Sequence, residues 1–277
     1  MKKTILSIAA CVMAMAASAQ IFQIESTQKL PAPQGTEWRV AGFSPAGDYI
    51  LITDDTNSGL VRMDLANYAT NVITTASGAG WAVQISKDGQ EVVYRETVVG
   101  KDNLRKHNLV RANLNKSKEA TFARGQRDMK RMATSDNLTT VSIKDRLIVM
   151  TRNGLTTTLA PNGSHLSYIW PSVSPDGTKL CYYVCGNGCW VSNIDGSNPQ
   201  FIAHACRAAK WYNNNTIVAM ADEDDGHFTT ASRIVAYTLD GKMQVLTDDS
   251  MIAVEPYATD GAVVFSTLDG EVYMLNV

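Results

Sequence analysis

Val173-Ser174-Pro175-Asp176-Gly177-Thr178-Lys179-Leu180-Cys181-Tyr182 reads as an apolar residue, a tight turn and a β-rich run. Proline presets φ at the second turn position and glycine supplies the positive φ that closes the turn, so the stretch is a hairpin. The pattern recurs at Phe43-Ser44-Pro45-Ala46-Gly47-Asp48-Tyr49-Ile50-Leu51-Ile52 and at Ile85-Ser86-Lys87-Asp88-Gly89-Gln90-Glu91-Val92-Val93-Tyr94. The anchoring serines are 42 and then 88 residues apart, and the second interval is two units of 44. A repeat of that length is far longer than a leucine-rich unit and matches a four-stranded propeller blade.

Three degenerate copies fill the gaps in the register. Met132-Ala133-Thr134-Ser135-Asp136-Asn137-Leu138 lies midway between the second and third clear copies, with the turn glycine lost. Trp211-Tyr212-Asn213-Asn214-Asn215-Thr216-Ile217-Val218-Ala219 and Tyr257-Ala258-Thr259-Asp260-Gly261-Ala262-Val263-Val264-Phe265 supply two more. Within the fourth unit, residues 169–173, 179–184, 189–194 and 199–203 read as four strands, with the hairpin dipeptide Asp195-Gly196 between the last two. Asp240-Gly241 and Asn153-Gly154 do the same in the fifth and third units, the first between strands at 233–239 and 242–246, the second ahead of a strand at 155–159.

The sixth unit runs out of chain, because its third strand, 271–277, is the C-terminus. Residues 21–26 form a strand-like run that belongs to no complete unit. Pairing the two would finish the last blade and remove the open edge that an unclosed array presents. The expected fold is all-β: a six-bladed β-propeller of four-stranded antiparallel blades, closed by the N-terminal strand completing the last blade.

Trp170-Pro171-Ser172-Val173-Ser174-Pro175-Asp176-Gly177, with the copies at Ser44 and Ser86, resembles the WD-like propeller repeat with a Ser-Pro-Asp-Gly signature of the periplasmic TolB-like proteins. Prolyl-oligopeptidase-type enzymes carry a related repeat in their propeller domains. The resemblance spans nearly all of the chain after its first 19 residues. It implies a non-catalytic periplasmic or cell-surface propeller that binds an envelope protein or a glycan.

The first 19 residues carry Lys2 and Lys3, an apolar stretch and then Ala17-Ser18-Ala19. That order is a secretory signal peptide, with cleavage expected before Gln20. The other reading, lipoprotein processing at Ile8-Ala9-Ala10-Cys11, leaves few apolar residues ahead of the cysteine. Residues 20–277 are then expected to be one propeller domain, monomeric, in the periplasm or at the cell surface. No later stretch is apolar for long enough to cross a membrane as a helix. A net charge near −2 argues against nucleic acid as a partner. The basic run 124–131 is the local exception; its Arg127 is a candidate anion contact, weighed against an ordinary solvated loop.

Cys181, Cys185, Cys189 and Cys206 all fall in or beside the fourth unit. Cys185-Gly186-Asn187-Gly188-Cys189 reads as a hairpin tip, so a Cys185–Cys189 disulfide is expected, with free thiols as the alternative. Their spacing is not that of a zinc ribbon, and no metal centre or cofactor is expected. The one weak cation site is the acidic tract with Asp222, Asp224 and Asp225, whose spacing misses the EF-hand register.

Catalytic motifs are missing from the sequence. His107, His165, His204 and His227 fall in different units without HExxH spacing, and there is no G-x-S-x-G elbow and no glycine-rich phosphate loop. The alternative to binding is a carbohydrate-active or peptide-cleaving enzyme with its acid/base groups at the channel mouth. Propeller geometry sorts the loops onto two rims, and the irregular ones share a rim: 97–107, 122–130, 160–168 and 222–230. Trp81, His165, Tyr168, Trp170, Arg207 and Glu255 gather near that rim with Arg127 and are the candidate binding residues.

Overall fold

The computed structural model describes residues 20–33, 35–114, 118–126, 139–225 and 227–277, and over them the chain is all-β. Six antiparallel sheets follow one another around a ring. Blade 6 contains the first strand, β1 (Ser26–Lys29), outermost on the last three strands. Blade 1 is β2 (Trp38–Phe43), β3 (Tyr49–Asp54), β4 (Leu60–Asp64) and β5 (Thr70–Thr74). Blade 2 is β6 (Gln84–Ile85), β7 (Glu91–Val99), β8 (Arg105–Asn113) and β9 (Lys118–Gln126). Blade 3 shows three strands among the described residues: β10 (Thr140–Lys144), β11 (Leu147–Arg152) and β12 (Leu155–Leu159). The copy at 132–138 and Arg127 lie outside those residues, as does the segment 1–19.

Blade 4 is β13 (Tyr168–Val173), β14 (Lys179–Val184), β15 (Gly188–Asn193) and β16 (Gln200–Ala203). Blade 5 is β17 (Arg207–Trp211), β18 (Thr216–Asp224), β19 (Thr229–Thr238) and β20 (Met243–Val245). Blade 6 ends on β21 (Ala253–Thr259), β22 (Ala262–Thr267) and β23 (Val272–Asn276). A short 3-10 turn, Asp249–Met251, leads into it.

The ring closes through the termini, with a shift in the closing strand. Ser26 to Lys29 pair antiparallel with Asn276 to Tyr273, so the outer strand starts where the expected run of 21–26 ends. The apolar residues that suggested the earlier span have a different task. The backbone N–H groups of Ile21 and Phe22 donate to Gln244 Oε1 on β20 at 2.6 and 2.7 Å, and Gln244 Nε2 donates back to the Phe22 carbonyl at 3.0 Å. The Phe22 ring packs edge-on to Tyr212 at 4.6 Å and is buried. The chain is therefore a strap across blades 5 and 6 before it becomes a strand.

The core lies in the seams between blades. Val264 and Val272 of blade 6 meet Val40, Phe43, Ile50 and Ile52 of blade 1. Leu51 and Tyr49 meet Val92 and Tyr94 of blade 2. Ile148 and Leu159 of blade 3 meet Leu180, Tyr182 and Val184 of blade 4. Each fully buried aliphatic or aromatic side chain contributes about 1.5–3 kcal/mol by leaving water.

One rim is set by the serine turns. Ser174 Oγ donates to Asp176 Oδ1 at 2.6 Å and accepts the Lys179 N–H at 2.9 Å. Ser86 Oγ does the same with Asp88 Oδ1 (2.6 Å) and the Glu91 N–H (2.9 Å). Ser44 Oγ bonds Asp48 Oδ1 at 2.7 Å and accepts the Tyr49 N–H at 3.1 Å. Gly177 at φ +70 provides the left-handed step that returns the chain. Three of the stretches expected as irregular loops are partly strand: 122–126 belongs to β9, and 97–107 and 222–230 are the ends of two hairpins. Blade 2 carries β7 and β8 up to the turn 100–104, and blade 5 carries β18 and β19 up to 225–228, so tall hairpins stand on the opposite rim.

Candidate functional site

The innermost strands share a backbone irregularity at one register. Four residues before the turn anchors Ser86, Ser174, Tyr212 and Thr259 stand Ala82, Trp170, Ala208 and Glu255, with φ of 56, 51, 51 and 51. The β13–β14, β17–β18 and β21–β22 ladders each slip across this residue, as a β-bulge does. A left-handed step at a residue with a side chain costs about 1–2 kcal/mol. Four blades bear that cost beside the channel mouth, and strain held in this way re-aims side chains there.

The bulge in blade 4 leaves Trp170 38% exposed, its ring edge-on to Tyr183 at 5.6 Å. Arg207, at the start of β17, reaches the same place and interacts with the Tyr183 side chain. Its Nη1 lies 2.5 Å from Asp222 Oδ2 and 3.9 Å from Asp224 Oδ2. Burial works against the charge on Arg207, but Asp222 and Tyr183 outweigh it and the guanidinium pKa is raised. Trp170 and Arg207 thus belong to one cluster, with Tyr183 and Asp222 between them. The guanidinium is already paired, because the Asp222 side chain is almost wholly buried against it.

Two residues beyond Ala208, Lys210 holds its Nζ 4.8 Å from the Tyr257 ring centroid. Burial pulls its pKa down, opposed by the field of Glu255. Glu255 itself is exposed. Burial also raises the Tyr257 phenol pKa, with Glu255 adding to the shift. A cation, a carboxylate and a phenol thus converge between blades 5 and 6.

The remaining candidates lie apart. Trp81, 53% exposed in blade 2, has the Arg95 guanidinium 5.4 Å from its ring centroid, and Arg95 Nε donates to the Gly78 carbonyl. Tyr168 is fully buried; its hydroxyl accepts the Asn162 N–H at 2.9 Å and donates to the Gly163 carbonyl at 3.0 Å. It organises the loop before β13 and presents no surface. His165 is exposed on that loop.

Asp222 and Asp224 turn towards Arg207, whereas Asp225 accepts the N–H groups of His227 and Phe228 at 2.9 and 2.8 Å. Among the described residues no group of three or more His, Cys, Asp or Glu side chains is arranged to hold a metal ion. The expected Cys185–Cys189 bridge is not formed. Cys185 is exposed on the turn, while Cys189 is buried with its sulfur 3.5 Å from that of Cys181. The strand begins at Gly188, one residue earlier than the reading of the tip assumed, and turns the Cys189 side chain into the seam.

Lys210, Tyr183, Tyr257 and Arg95 went unnoticed in the sequence. Lys210 and Tyr257 do share a signal there, since each stands two residues before a turn anchor, on an innermost strand.

No protein-family model matches the chain, and no curated protein sequence matches it. Solved structures do match. TolB from Acinetobacter baumannii superposes with a TM-score of 0.58 at 17% identity, over 75% of this chain and 54% of that one. The chain therefore spans about half the length of that protein. A putative TolB from Agrobacterium tumefaciens gives a TM-score of 0.57 at 16% identity, over 87% and 91%. An oligogalacturonate lyase in complex with manganese gives 0.50 at 15% identity, over 85% and 75%. The chain is thus similar in fold to the TolB-like six-bladed β-propellers.

Proposed function

We propose that the protein is an exported, non-catalytic β-propeller that binds a protein or a glycan of the cell envelope at the mouth of its channel, in the periplasm or at the cell surface. The observation that carries this reading is the left-handed register on the innermost strands, which displays Trp170 near the Arg207–Asp222 pair and Glu255 near Lys210 and Tyr257. Exposed tryptophan on a rigid strand is a good anchor, because its surface is large and little freedom is lost on binding. The likeness to TolB structures supports a scaffold of this kind, and no helix among the described residues is long and apolar enough to cross a membrane. The test is capture from an envelope extract by the immobilised protein, its Trp170→Ala variant and an Asp176→Ala control. Binding that survives Trp170→Ala and fails with Asp176→Ala would put the site on the other rim.

One observation favours the enzymatic alternative, a carbohydrate-active or peptide-cleaving activity. Lys210, Glu255 and Tyr257 converge between blades 5 and 6, and acid/base chemistry uses such sets. Cleavage of an oligosaccharide or peptide by the protein, lost in Lys210→Met, would replace the binding reading.

A further inference from the structure

Three of the cysteines meet in the seam between blades 4 and 5. Cys181 on β14, Cys189 on β15 and Cys206 just before β17 are all fully buried, packed with Val191, Ala209, Trp211 and Ile217. The ladder pairs Cys181 with Val191 and Tyr183 with Cys189, so Cys181 and Cys189 are diagonal neighbours on adjacent strands. Their sulfurs are 3.5 Å apart, about 1.5 Å longer than an S–S bond. Cys206, from the neighbouring blade, packs into the same cluster. Cys185 is the fourth and differs in kind, being exposed on the turn between the two strands.

We infer that Cys181 and Cys189 are a disulfide-forming pair that closes while the chain folds, in the presence of a disulfide oxidant such as a glutathione-type or protein disulfide. In the reaction one thiolate attacks a sulfur of the oxidant and releases one thiol. The second thiolate then attacks the mixed disulfide and releases the other. Two cysteine thiols lose two protons and two electrons, and the S–S bond of the oxidant is reduced to two thiols. Timing follows from burial. In the finished seam the Cys181 thiol is held protonated by its bond to Cys189 and by burial, and a protonated, inaccessible thiol neither attacks nor is reached. The bond must therefore form before blades 4 and 5 dock. The same burial then shields it from reductants.

The test is refolding of the reduced, denatured protein with reduced and oxidised glutathione, followed by unfolding and alkylation without reduction. Chymotrypsin is needed for the map, because no Lys or Arg separates Cys181 from Cys206. A Cys181–Cys189 linkage, with Cys185 and Cys206 alkylated, is the expected result. Alkylation of all four sulfurs, or a linkage of Cys189 to Cys185 or Cys206, overturns the assignment. Refolded Cys206→Ala should keep the link, and its loss there would overturn Cys181 and Cys189 as a pair that closes on its own.

Discussion

The two rims of the ring solve opposite problems. On the turn rim Ser44, Ser86 and Ser174 each spend a buried hydroxyl on an aspartate and a backbone N–H of the same turn, and the three turns are near copies. On the loop rim four blades share a left-handed backbone step, but among the described residues the side chains displayed there differ from blade to blade. Blade 2 offers Trp81 with Arg95, blade 4 Trp170 with Tyr183, blade 5 the Arg207–Asp222 pair, and the seam of blades 5 and 6 places Lys210 against Tyr257. Repetition marks what every blade needs in order to fold, and divergence marks what the assembled ring displays.

The contrast between rims presupposes a closed ring, and the largest effect is expected from opening it. Deleting residues 20–29 removes the strap and β1, leaving β23 as an open edge. Aggregation in size-exclusion chromatography and a melting temperature lower by on the order of 10 °C should follow. A monomer with unchanged melting would show that closure contributes little.

Next in size is the binding contrast. Trp170→Ala should weaken capture by about 1–4 kcal/mol, the range of an interface anchor, whereas Asp176→Ala should leave capture at matched folded concentration unchanged. Equal losses from both would erase the distinction between rims.

A smaller effect separates pairing from display within the loop rim. Arg207→Ala leaves the Asp222 carboxylate without its partner, and about 1–2 kcal/mol of stability should be lost, the exposed part of the guanidinium limiting the figure. Asp222→Ala made in the same chain should restore part of it. Urea denaturation of the two single variants and the double variant would detect this coupling.

The smallest effect belongs to the turn rim and depends on pH. The Ser86 and Ser174 hydroxyls, with the Gln90 and Thr178 N–H groups, hold the Asp88 and Asp176 carboxyls below their ordinary pKa. The folded state binds these protons less readily than the unfolded state. The contribution is therefore complete above the unfolded value of about 4 and is lost as pH falls through the lower folded value. Wild type and an Asp88→Asn/Asp176→Asn variant should differ in urea midpoint at pH 6 and converge towards pH 3. A constant difference across that range would mean that charge plays no part in the turns.

Blade 4 was legible almost residue by residue, because its signals are local. Pro175 and Gly177 mark one turn and Asp195-Gly196 another, and β14 occupies the expected residues 179–184. The closing strand was found in the right blade and misplaced along the chain. Residues 21–26 look more strand-like than Ser26–Lys29, yet an outermost strand faces solvent and can be polar, while Ile21 and Phe22 serve the strap. The tall hairpins of blades 2 and 5 read as loops at 97–107 and 222–230, because polar residues such as Arg105, Lys106, Glu223 and Asp224 stand there without alternation. Near the tips of these hairpins Val98, Val99, Glu223 and Asp224 are exposed, so burial imposes no alternation there. At the site, Trp170 and Arg207 could be named from residue type. Their arrangement depends on a bulge that slips the ladder, and neither its left-handed φ nor the pairing of Arg207 with Asp222 has a signature in the sequence.

Because Ser26 pairs with Asn276, the first strand to be made waits for the last. Until the final residues are available, blade 6 lacks its outer strand and the N-terminal segment has no partner, so the latch is a contact of the greatest sequence separation. Such contacts slow folding, and the unlatched chain is an intermediate with open strand edges that can associate with other chains. Any truncation near the C-terminus should therefore resemble an N-terminal deletion in its outcome, and a circular permutant that joins the two ends and opens the chain within blade 3 would turn the latch into a local hairpin.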